Sequence, residues 1–374
     1  MREVAIVGVG QVDFGALAAS RQPVHAITLG AQALSQALED AGLDRASVDG
    51  LVTCRLPYDA SANALGIRSP NLINGLEGSG RMSGVAVQYA AAMIATGQAE
   101  TVACVYGNDG RSMGMTYGGE AAVSYGARLA QLQGMASVGA SAAMMFRRYQ
   151  NLYSAPDDAL APFAINNRRN AALNPVAVMR KPITREDYLN SRLVAAPLRL
   201  FDYCLINDGG VALILTTLER ARDLRKRPIR IAASAAKAEV QDHYWSPDFF
   251  YATAQDVAGR LREKCGVTPT DVDVLQAYDN FTPIILFSVE GFGFAPRGEG
   301  WAWASEDRIG LAGETPINTA GGHTGEAYMQ GWAHHVEAVR QLRGEAGERQ
   351  VKDANIAQYV CVSPIVTSHV LVGD

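Results

Sequence analysis

The chain has 374 residues, which suits two domains of ordinary size, and 48% of its residues are hydrophobic while 19% are charged. A formal net charge of −5 without a dense Lys/Arg stripe argues against a nucleic-acid surface, and no apolar run is long enough to cross a bilayer. Five widely spaced cysteines without a Cys-x-x-Cys pair fit neither a disulfide framework nor a zinc site. With no signal-peptide pattern at the start, these features predict a soluble, cytoplasmic protein.

The first elements along the chain are those of an α/β protein. Residues 4–10 form a short apolar run that ends in glycines, which is typical of a buried strand. Residues 26–41 are rich in alanine and leucine at helical spacing, and Gly42 ends this predicted helix. A second strand, residues 101–107, follows a helix that begins after Gly80.

A change of composition between about residues 110 and 199 indicates an insertion. This stretch is rich in methionine, arginine and proline and has no strand-like runs. Thr184 and Asp187 are spaced as a capping box at the start of a helix.

A second half with the same alternation of strand and helix follows the insertion. Residues 197–215 return to strand-like sequence, a charged connector spans 219–227, and a strand begins at 229. A helix near 254–264 then leads to an apolar run at 272–279. We predict two domains, 1–225 and 226–374, with the insertion in the first.

Residues 318–331 resemble the histidine loop of the thiolases, but the histidine is missing. Asn318, Gly321, Gly322 and Gly331 keep the frame, and Tyr328 stands in place of the histidine. A phenol has an unperturbed pKa of about 10, against about 6.5 for imidazole, so it cannot do the same work at neutral pH. The substitution therefore indicates a different reaction on the same class of substrate.

Two further segments extend the resemblance. Residues 278–281 resemble the segment that supplies one side of the thiolase oxyanion hole, and Tyr278 takes its polar position. When residues 86–100 are laid on the helix that follows the thiolase nucleophile, the cysteine falls on Gly80. Ser79 and Ser83 have no histidine nearby in sequence to activate them, so acyl-enzyme chemistry is disfavoured. Two readings of this turn remain open: a tight strand-to-helix turn, or backbone N–H groups that hold a thioester or enolate oxygen.

The chain is identified as a member of the thiolase superfamily, in its sterol-carrier-protein and lipid-transfer-protein-like branch. It resembles the thiolase-like steroid side-chain-cleaving aldolases of bacteria over nearly its whole length. This resemblance implies the thiolase fold: two similar α/β halves in five-layer α-β-α-β-α packing, with a loop-domain insertion in the first half.

The resemblance also implies an aldolase reaction without a covalent intermediate. We assign Tyr278 and Tyr328 as the acid/base pair, without deciding which of them deprotonates. A set of supporting residues is expected to orient the pair or line the site, or else to serve turn and core hydrogen bonding: Asp279, Asn280, His323, Glu326, Gly80 and Gly322. Cys361 stands near the second catalytic cysteine of the thiolases but lacks the glycines of that loop, so it is interpreted as a relic.

In the family the insertion covers the CoA arm of the substrate. Four basic residues of this region are therefore candidates for binding CoA phosphates: Arg168, Arg169, Arg180 and Lys181. A solvated basic face or internal salt bridges would explain them equally well. No cofactor is expected, since CoA is part of the substrate. No metal is expected either, because His334 and His335 are neighbours on a predicted helix and face different directions.

The predicted function is a retro-aldol carbon–carbon lyase that converts a β-hydroxyacyl-CoA, expected to carry a steroid, to a ketone and a short acyl-CoA such as propionyl-CoA or acetyl-CoA. The alternatives are a thiolase-like acyltransferase, a non-catalytic acyl-CoA or lipid carrier subunit, and a lyase acting on an aromatic or acyclic acyl-CoA. The resemblance further implies a homodimer that binds a small OB-fold protein with a zinc ribbon, as a heterotetramer.

Overall fold

A computed structural model describes residues 2–20, 22–76, 80–115, 137–239 and 246–373, with residues 132 and 135 singly. Ser79 and part of the predicted insertion lie outside the described residues.

The strands and helices are as follows. The strands are β1 (Val4–Gln11), β2 (Gly50–Cys54), β3 (Leu72–Leu76), β4 (Thr101–Asp109), β5 (Leu193–Ala195), β6 (Leu198–Arg199), β7 (Asp208–Thr217), β8 (Ile229–Ala238), β9 (Val274–Ala277), β10 (Ile356–Cys361) and β11 (Ile365–Gly373). The helices are α1 (Phe14–Ala19), α2 (Ala26–Ala41), α3 (Tyr58–Leu65), α4 (Met82–Ala95), α5 (Val138–Tyr153), α6 (Ala161–Ala172), α7 (Arg185–Asn190), α8 (Leu218–Ala221), α9 (Tyr251–Cys265), α10 (Thr282–Gly291), α11 (Gly300–Trp303), α12 (Glu306–Ile309), α13 (Gly322–Gly325) and α14 (Trp332–Arg343).

The main sheet has nine strands, and its topology repeats about its middle. The strand order is β3-β2-β4-β7-β1-β8-β11-β10-β9, and the seam is the antiparallel pair β1–β8, where Ala5 faces Arg230. Outward from this seam, the next strand is antiparallel in both halves, β7 beside β1 and β11 beside β8, and so is the strand after it, β4 beside β7 and β10 beside β11. A parallel strand follows in both, β2 or β9. The prediction of two similar α/β halves is confirmed, whereas the boundary at 225/226 stays a prediction.

Helices lie on both faces of each half. On β1, Ala5 and Val7 pack into one buried cluster with α2, while Ile6 belongs to a second cluster that includes α4 and α14. Both α4 and α14 contact strands of the two halves, so they form a shared central layer. Helix α9 covers β8 and β11 on the far side. The five-layer packing is therefore confirmed.

Several local predictions are confirmed, and one is wrong. Helix α2 ends at Gly42, whose φ of 68° is left-handed, and the Thr184–Asp187 capping box is present at the start of α7. The insertion does contain strands, because β5 and β6 form a small antiparallel hairpin in which Leu193 faces Arg199. Strands of two or three residues are too short for apolar alternation to reveal them.

Within the described ranges, no helix combines the length and apolar character needed to span a bilayer.

Candidate active site

Two tyrosine hydroxyls meet at Gly80. The Oη atoms of Tyr278 and Tyr328, 50 residues apart in sequence, lie 3.2 Å from each other. A Cβ atom added to Gly80 would lie 2.1 Å from Oη of Tyr278 and 2.6 Å from Oη of Tyr328. The two phenols therefore occupy the space that a nucleophilic side chain at position 80 would need, and the predicted juxtaposition of these residues is present. The space bounded by Gly80 and the two hydroxyls is called the reaction centre below.

The backbone fixes both tyrosines. Tyr278 follows β9, and its N–H donates to the carbonyl of Val360 at 2.8 Å. Tyr328 follows α13, and its N–H donates to Oδ1 of Asn207 at 2.8 Å. Tyr278 is buried, while Tyr328 keeps part of its surface accessible. Burial raises the pKa of Tyr328 above its ordinary value, so this phenol is protonated at neutral pH and is a proton donor.

His323 lies between the two tyrosine rings. Its ring meets Tyr278 edge to face at 4.8 Å between centroids and Tyr328 at 5.1 Å. Its Nε2 accepts a hydrogen bond from the N–H of Gly331 at 2.9 Å, and its Nδ1 lies 3.4 Å from the backbone nitrogen of Asp279 and 3.2 Å from Oδ1 of that residue. Burial lowers the pKa of His323 well below its ordinary value. A neutral imidazole with both nitrogens occupied positions the phenols and does not serve as a base.

Asp279 is the fully buried acceptor beneath this histidine. Its carboxylate accepts the backbone N–H of His323 at 2.9 Å, Nδ2 of Asn167 at 2.8 Å and Nε2 of His334 at 3.1 Å. Burial raises the pKa of Asp279, and the donors around it oppose that rise. Gly322, with a φ of 60°, allows the close approach, since a Cβ there would lie 2.4 Å from Oδ2 of Asp279. The orienting roles predicted for these residues agree with this geometry.

Glu326 begins the loop at residues 326–331 that carries Tyr328, called the tyrosine loop below, and it anchors this loop. Its Oε1 accepts Nδ2 of Asn174 at 3.0 Å, and its backbone carbonyl accepts the N–H of Val178 at 2.9 Å. Glu337 lies close enough to repel it, and is itself bound by Arg349 at 3.0 Å. Burial, assisted by this repulsion, raises the pKa of Glu326 to about 7. Glu326 therefore contacts the segment at 174–178 and not the phenols.

Asn280 is buried next to the site. Its backbone carbonyl accepts the N–H of Cys204 at 3.0 Å, and this bond joins the segment after β9 to the segment before β7. This is a structural hydrogen bond within the core, which was the predicted alternative to orienting the tyrosines.

The four basic residues of the insertion differ in environment. Arg168 is buried, and its guanidinium donates to the carbonyl of Lys181 at 2.8 and 3.1 Å, so it holds the loop together. Arg169 forms a salt bridge with Glu306. Arg180 and Lys181 are exposed and directly follow Met179, whose N–H donates to the carbonyl of Gly325. These two therefore lie beside the tyrosine loop with side chains open to solvent.

Cys361 is fully buried at the end of β10. Its Sγ lies 3.6 Å from Oγ of Ser363, and burial raises the pKa of the thiol to about 12. A thiol held in the protonated form is a poor nucleophile. This agrees with its interpretation as a relic.

His334 and His335 do face different partners. Nε2 of His334 lies 3.1 Å from both the carbonyl of Ala277 and Oδ1 of Asp279, while Nδ1 of His335 lies 2.9 Å from the carbonyl of Gly331. Ligand atoms of Asp279, His323 and His334 lie within 4.8 Å of one another, which is close enough to bind a metal ion. Nε2 of His334 hydrogen bonds to Oδ1 of Asp279, and the ring nitrogens of His323 lie within hydrogen-bond distance of the backbone N–H groups of Asp279 and Gly331.

Sequence reasoning missed four residues that build this site. Asn167, Asn174 and His334 bind its two buried carboxylates, and Asn207 holds the backbone of Tyr328. The Asn-rich run at 166–174 carried a signal, because amides on one face of a buried helix need polar partners.

Comparisons with known proteins agree with this geometry. A family model described as thiolase C-terminal domain-like matches residues 216–372. The chain is 37% identical to the 17-hydroxy-3-oxo-4-pregnene-20-carboxyl-CoA lyase of Mycobacterium tuberculosis, over 91% of this chain and 92% of that protein. It is 34% identical to the steroid side-chain-cleaving aldolase of Thermomonospora curvata, over 91% and 90% of the two chains. A solved structure named Ltp2-ChsH2(DUF35) aldolase matches with a TM-score of 0.90 and 31% identity, covering 100% of this chain and 98% of that chain.

The raised pKa of Glu326 predicts a pH-dependent stability. The carboxyl has a pKa of 4.5 when unfolded and about 7 when folded, so the folded state holds its proton over that range and the unfolded state does not. Its stabilising contribution is full below pH 4.5 and is lost as the pH rises through about 7, a change of about 3 kcal/mol. Glu326→Gln lacks this loss, so its free energy of unfolding relative to the parent should rise by that amount between these pH values.

Urea unfolding at a series of pH values measures this difference. The exposed Glu348→Gln is the control, and its profile should run parallel to that of the parent. A Glu326→Gln profile that is also parallel to the parent would contradict the assignment.

Proposed function

The chain belongs to the thiolase superfamily, in the branch of the steroid side-chain-cleaving aldolases, and we propose that it is a CoA-thioester aldolase that cleaves the side chain of a steroid β-hydroxyacyl-CoA. The observation that carries this proposal is the pair of phenol hydroxyls facing Gly80. The expected products are a ketone and a short acyl-CoA such as propionyl-CoA or acetyl-CoA.

Retro-aldol cleavage requires two proton transfers and a place for an enolate. A base takes the proton of the β-hydroxyl, and the oxygen's electron pair forms the ketone as the carbon–carbon bond breaks. The electrons of that bond pass to the thioester, which becomes an enolate, and an acid then protonates its α-carbon. The protons balance, since one leaves the hydroxyl and one reaches the carbon.

Tyr278 and Tyr328 supply both functions in this proposal. Their hydroxyls are 3.2 Å apart, so one can hand a proton to the other. The raised pKa of Tyr328 suits it to start as the acid. The buried carboxylate of Asp279 and the neutral ring of His323 position the pair.

Acyl transfer is disfavoured by the same geometry. An acyl-enzyme needs a nucleophile with an adjacent base. Position 80 is a glycine without room for a side chain, Cys361 is a buried thiol, and Nε2 of His323 is occupied by Gly331. Ser83 bonds to Oη of Tyr359 at 3.1 Å and not to a histidine. No comparable observation favours the carrier subunit.

The assembly is part of the proposal. We infer a homodimer that binds a small OB-fold and zinc-ribbon protein as a heterotetramer, in the cytoplasm. Support comes from the similarity to a solved complex whose name joins an aldolase to a DUF35 protein. We expect the isolated chain to elute as a dimer in size-exclusion chromatography with light scattering, and the mass to rise to two copies of each chain with such a partner. A monomer would contradict the dimer, and a dimer whose mass the partner leaves unchanged would contradict the heterotetramer.

Removing each phenol hydroxyl tests the mechanism. Tyr278→Phe and Tyr328→Phe keep the rings and delete the proton handlers, so each should lower kcat by about 10²- to 10⁴-fold, or about 3–5 kcal/mol of transition-state stabilisation. Ligand binding and the circular dichroism spectrum should remain those of the parent. The measurement is ketone release from candidate β-hydroxyacyl-CoA thioesters.

Cys361→Ala is the matched control and should retain most of the parent's kcat. Turnover within about threefold of the parent in both phenylalanine variants would show that the phenols are structural. Abolished turnover in Cys361→Ala would instead indicate thiolase-like chemistry.

Adding one carbon at position 80 should displace the hydroxyls. Gly80→Ala places its Cβ within van der Waals overlap of both Oη atoms, so we expect kcat to fall by about 10²-fold from misplacement of about 1 Å. Gly259→Ala is the control, because no atom lies within 4 Å of a Cβ built there. The kinetic constants of both variants and a crystal structure of Gly80→Ala give the result. Parent-like kcat in Gly80→Ala would contradict the assigned reaction centre.

The exposed pair Arg180 and Lys181 should bind CoA phosphates. Each alanine variant should raise KM by about two- to fivefold and reduce its dependence on salt, with kcat nearly unchanged, because the contacts are solvent-exposed. Arg168→Ala should instead lower thermal stability, since it removes two bonds to the carbonyl of Lys181. Unchanged KM in both exposed variants would show that these residues form a solvated basic face and do not bind CoA.

A further inference from the structure

Arg81 has a buried guanidinium nitrogen for which the described part of the chain offers no hydrogen-bond acceptor. Its Nε is fully buried, and no described group accepts a hydrogen bond from it. The side chain does not cap α4, although Arg81 is the residue that precedes its first turn. Among the residues that the structure describes, it also forms no salt bridge. A buried polar donor left without an acceptor costs about 1–3 kcal/mol, more when charged, so an acceptor that reached this nitrogen would be bound favourably.

The position of Arg81 connects this nitrogen to the reaction centre. Arg81 directly follows Gly80, the residue against which both phenol hydroxyls lie. One turn further along α4, Gly84 is so close to β11 that a Cβ there would lie 2.3 Å from Oγ1 of Thr367. Thr367 pairs across the sheet with Cys361, and the charge of Arg81 acts on the Cys361 thiol. The guanidinium thus lies close enough to the end of β10 for its charge to act on Cys361, and its backbone adjoins the glycine that both phenol hydroxyls face.

The charges at the reaction centre are incomplete without this residue. Two phenols can move protons, but neither carries a positive charge, and His323 is neutral. The retro-aldol step places a full negative charge on the thioester oxygen, in a site where burial makes an unpaired charge costly. An arginine guanidinium is charged at neutral pH and offers N–H donors in a fixed plane.

We propose that Arg81 is a catalytic residue that binds the thioester carbonyl oxygen as it becomes an enolate oxygen. This inference rests on the proposed aldolase function and extends it. When the carbon–carbon bond breaks, its electron pair reaches the thioester oxygen, and a guanidinium N–H donates to that oxygen without transferring a proton. The enolate then takes its proton at carbon from the acid, and the charge on the oxygen disappears.

The carbonyl oxygen is a better assignment than a CoA phosphate. Arg81 adjoins the reaction centre in sequence, whereas the phosphates of CoA are separated from the thioester by the pantetheine arm. The exposed Arg180 and Lys181 already offer cations at the outer side of the tyrosine loop. A donor that strengthens its bond as charge develops should act on kcat and leave KM largely unchanged.

Three variants of the full-length protein test this role. Arg81→Met keeps the length of the side chain and removes its charge, Arg81→Ala removes the group, and Arg81→Lys keeps the charge. We expect kcat to fall by about 10²- to 10³-fold in the methionine and alanine variants, with KM within about threefold of the parent, and a smaller loss in the lysine variant. The exposed Arg262→Ala on α9 is the control and should retain the parent's kcat.

Chemical rescue separates a catalytic role from a structural one. Guanidinium ion added to Arg81→Ala should restore kcat at least about tenfold at concentrations that leave the parent unchanged, and it should not restore Tyr328→Phe. Arg81→Met with kcat within about threefold of the parent would overturn the inference, and so would a change confined to KM. A loss that guanidinium does not restore, in a variant with the parent's spectrum and melting temperature, would also overturn it.

The outcome for the parent distinguishes the two proposals. If the parent releases no ketone from any β-hydroxyacyl-CoA thioester, the proposed function itself is contradicted. If the parent releases ketone and the Arg81 variants have the parent's kcat, only the inference on Arg81 is contradicted.

Discussion

The rest of the site depends on the hydrogen bonds that the buried carboxylate of Asp279 accepts. It follows β9, and its partners come from α6 through Asn167, from α13 through the N–H of His323 and from α14 through His334. A buried carboxylate is costly unless its lone pairs are satisfied, and the donors arrive from three other elements. The chain must therefore close all of these elements around one residue, and that closure brings Tyr278 and Tyr328 to the same point.

This constraint explains why the insertion belongs to the active site. Helix α6 supplies Asn167, which binds Asp279, and Asn174 just beyond it binds Glu326, so buried amides join the insertion to Asp279 and to the tyrosine loop. The first half contributes Gly80 at the start of α4, and the second half contributes both phenols. The repeated topology of the two halves supplies a central helix layer that touches both sheets. The reaction centre lies where that layer meets the ends of the second half's strands.

The site keeps a scaffold suited to thioesters and changes the chemistry by what it leaves out. Because position 80 is a glycine, there is room for two hydroxyls 3.2 Å apart. Tyr328 stands where the thiolases have a histidine, and the neutral ring of His323 packs against Tyr278. Burial keeps Tyr328 and Cys361 protonated and keeps His323 uncharged. Protonated phenols with no activated thiol or imidazole base beside them are well matched to proton transfer, and poorly matched to forming an acyl-enzyme.

The sequence by itself indicated the α/β class, and its resemblance to the thiolases implied the two similar halves and the candidate reacting residues. Apolar periodicity and Gly42 were sufficient for β1 and α2, because local pattern and stop signals act within a few residues. The motif around Gly322 and Tyr328 and the tyrosine after β9 indicated the candidate acid/base pair, because those residue types at those positions do not fit thiolase chemistry.

The tertiary structure alone decided the hydrogen bonds between distant segments. Asn167 and Asn174 meet carboxylates more than 100 positions away, at separations of 112 and 152 residues, and no local pattern encodes such pairs. It also separated the basic residues, since Arg168 is buried against Lys181 while Arg180 is open to solvent. Burial raises the pKa of Glu326 and lowers that of His323. These shifts are a property of the packed layers, because desolvation arises only when the whole chain has folded.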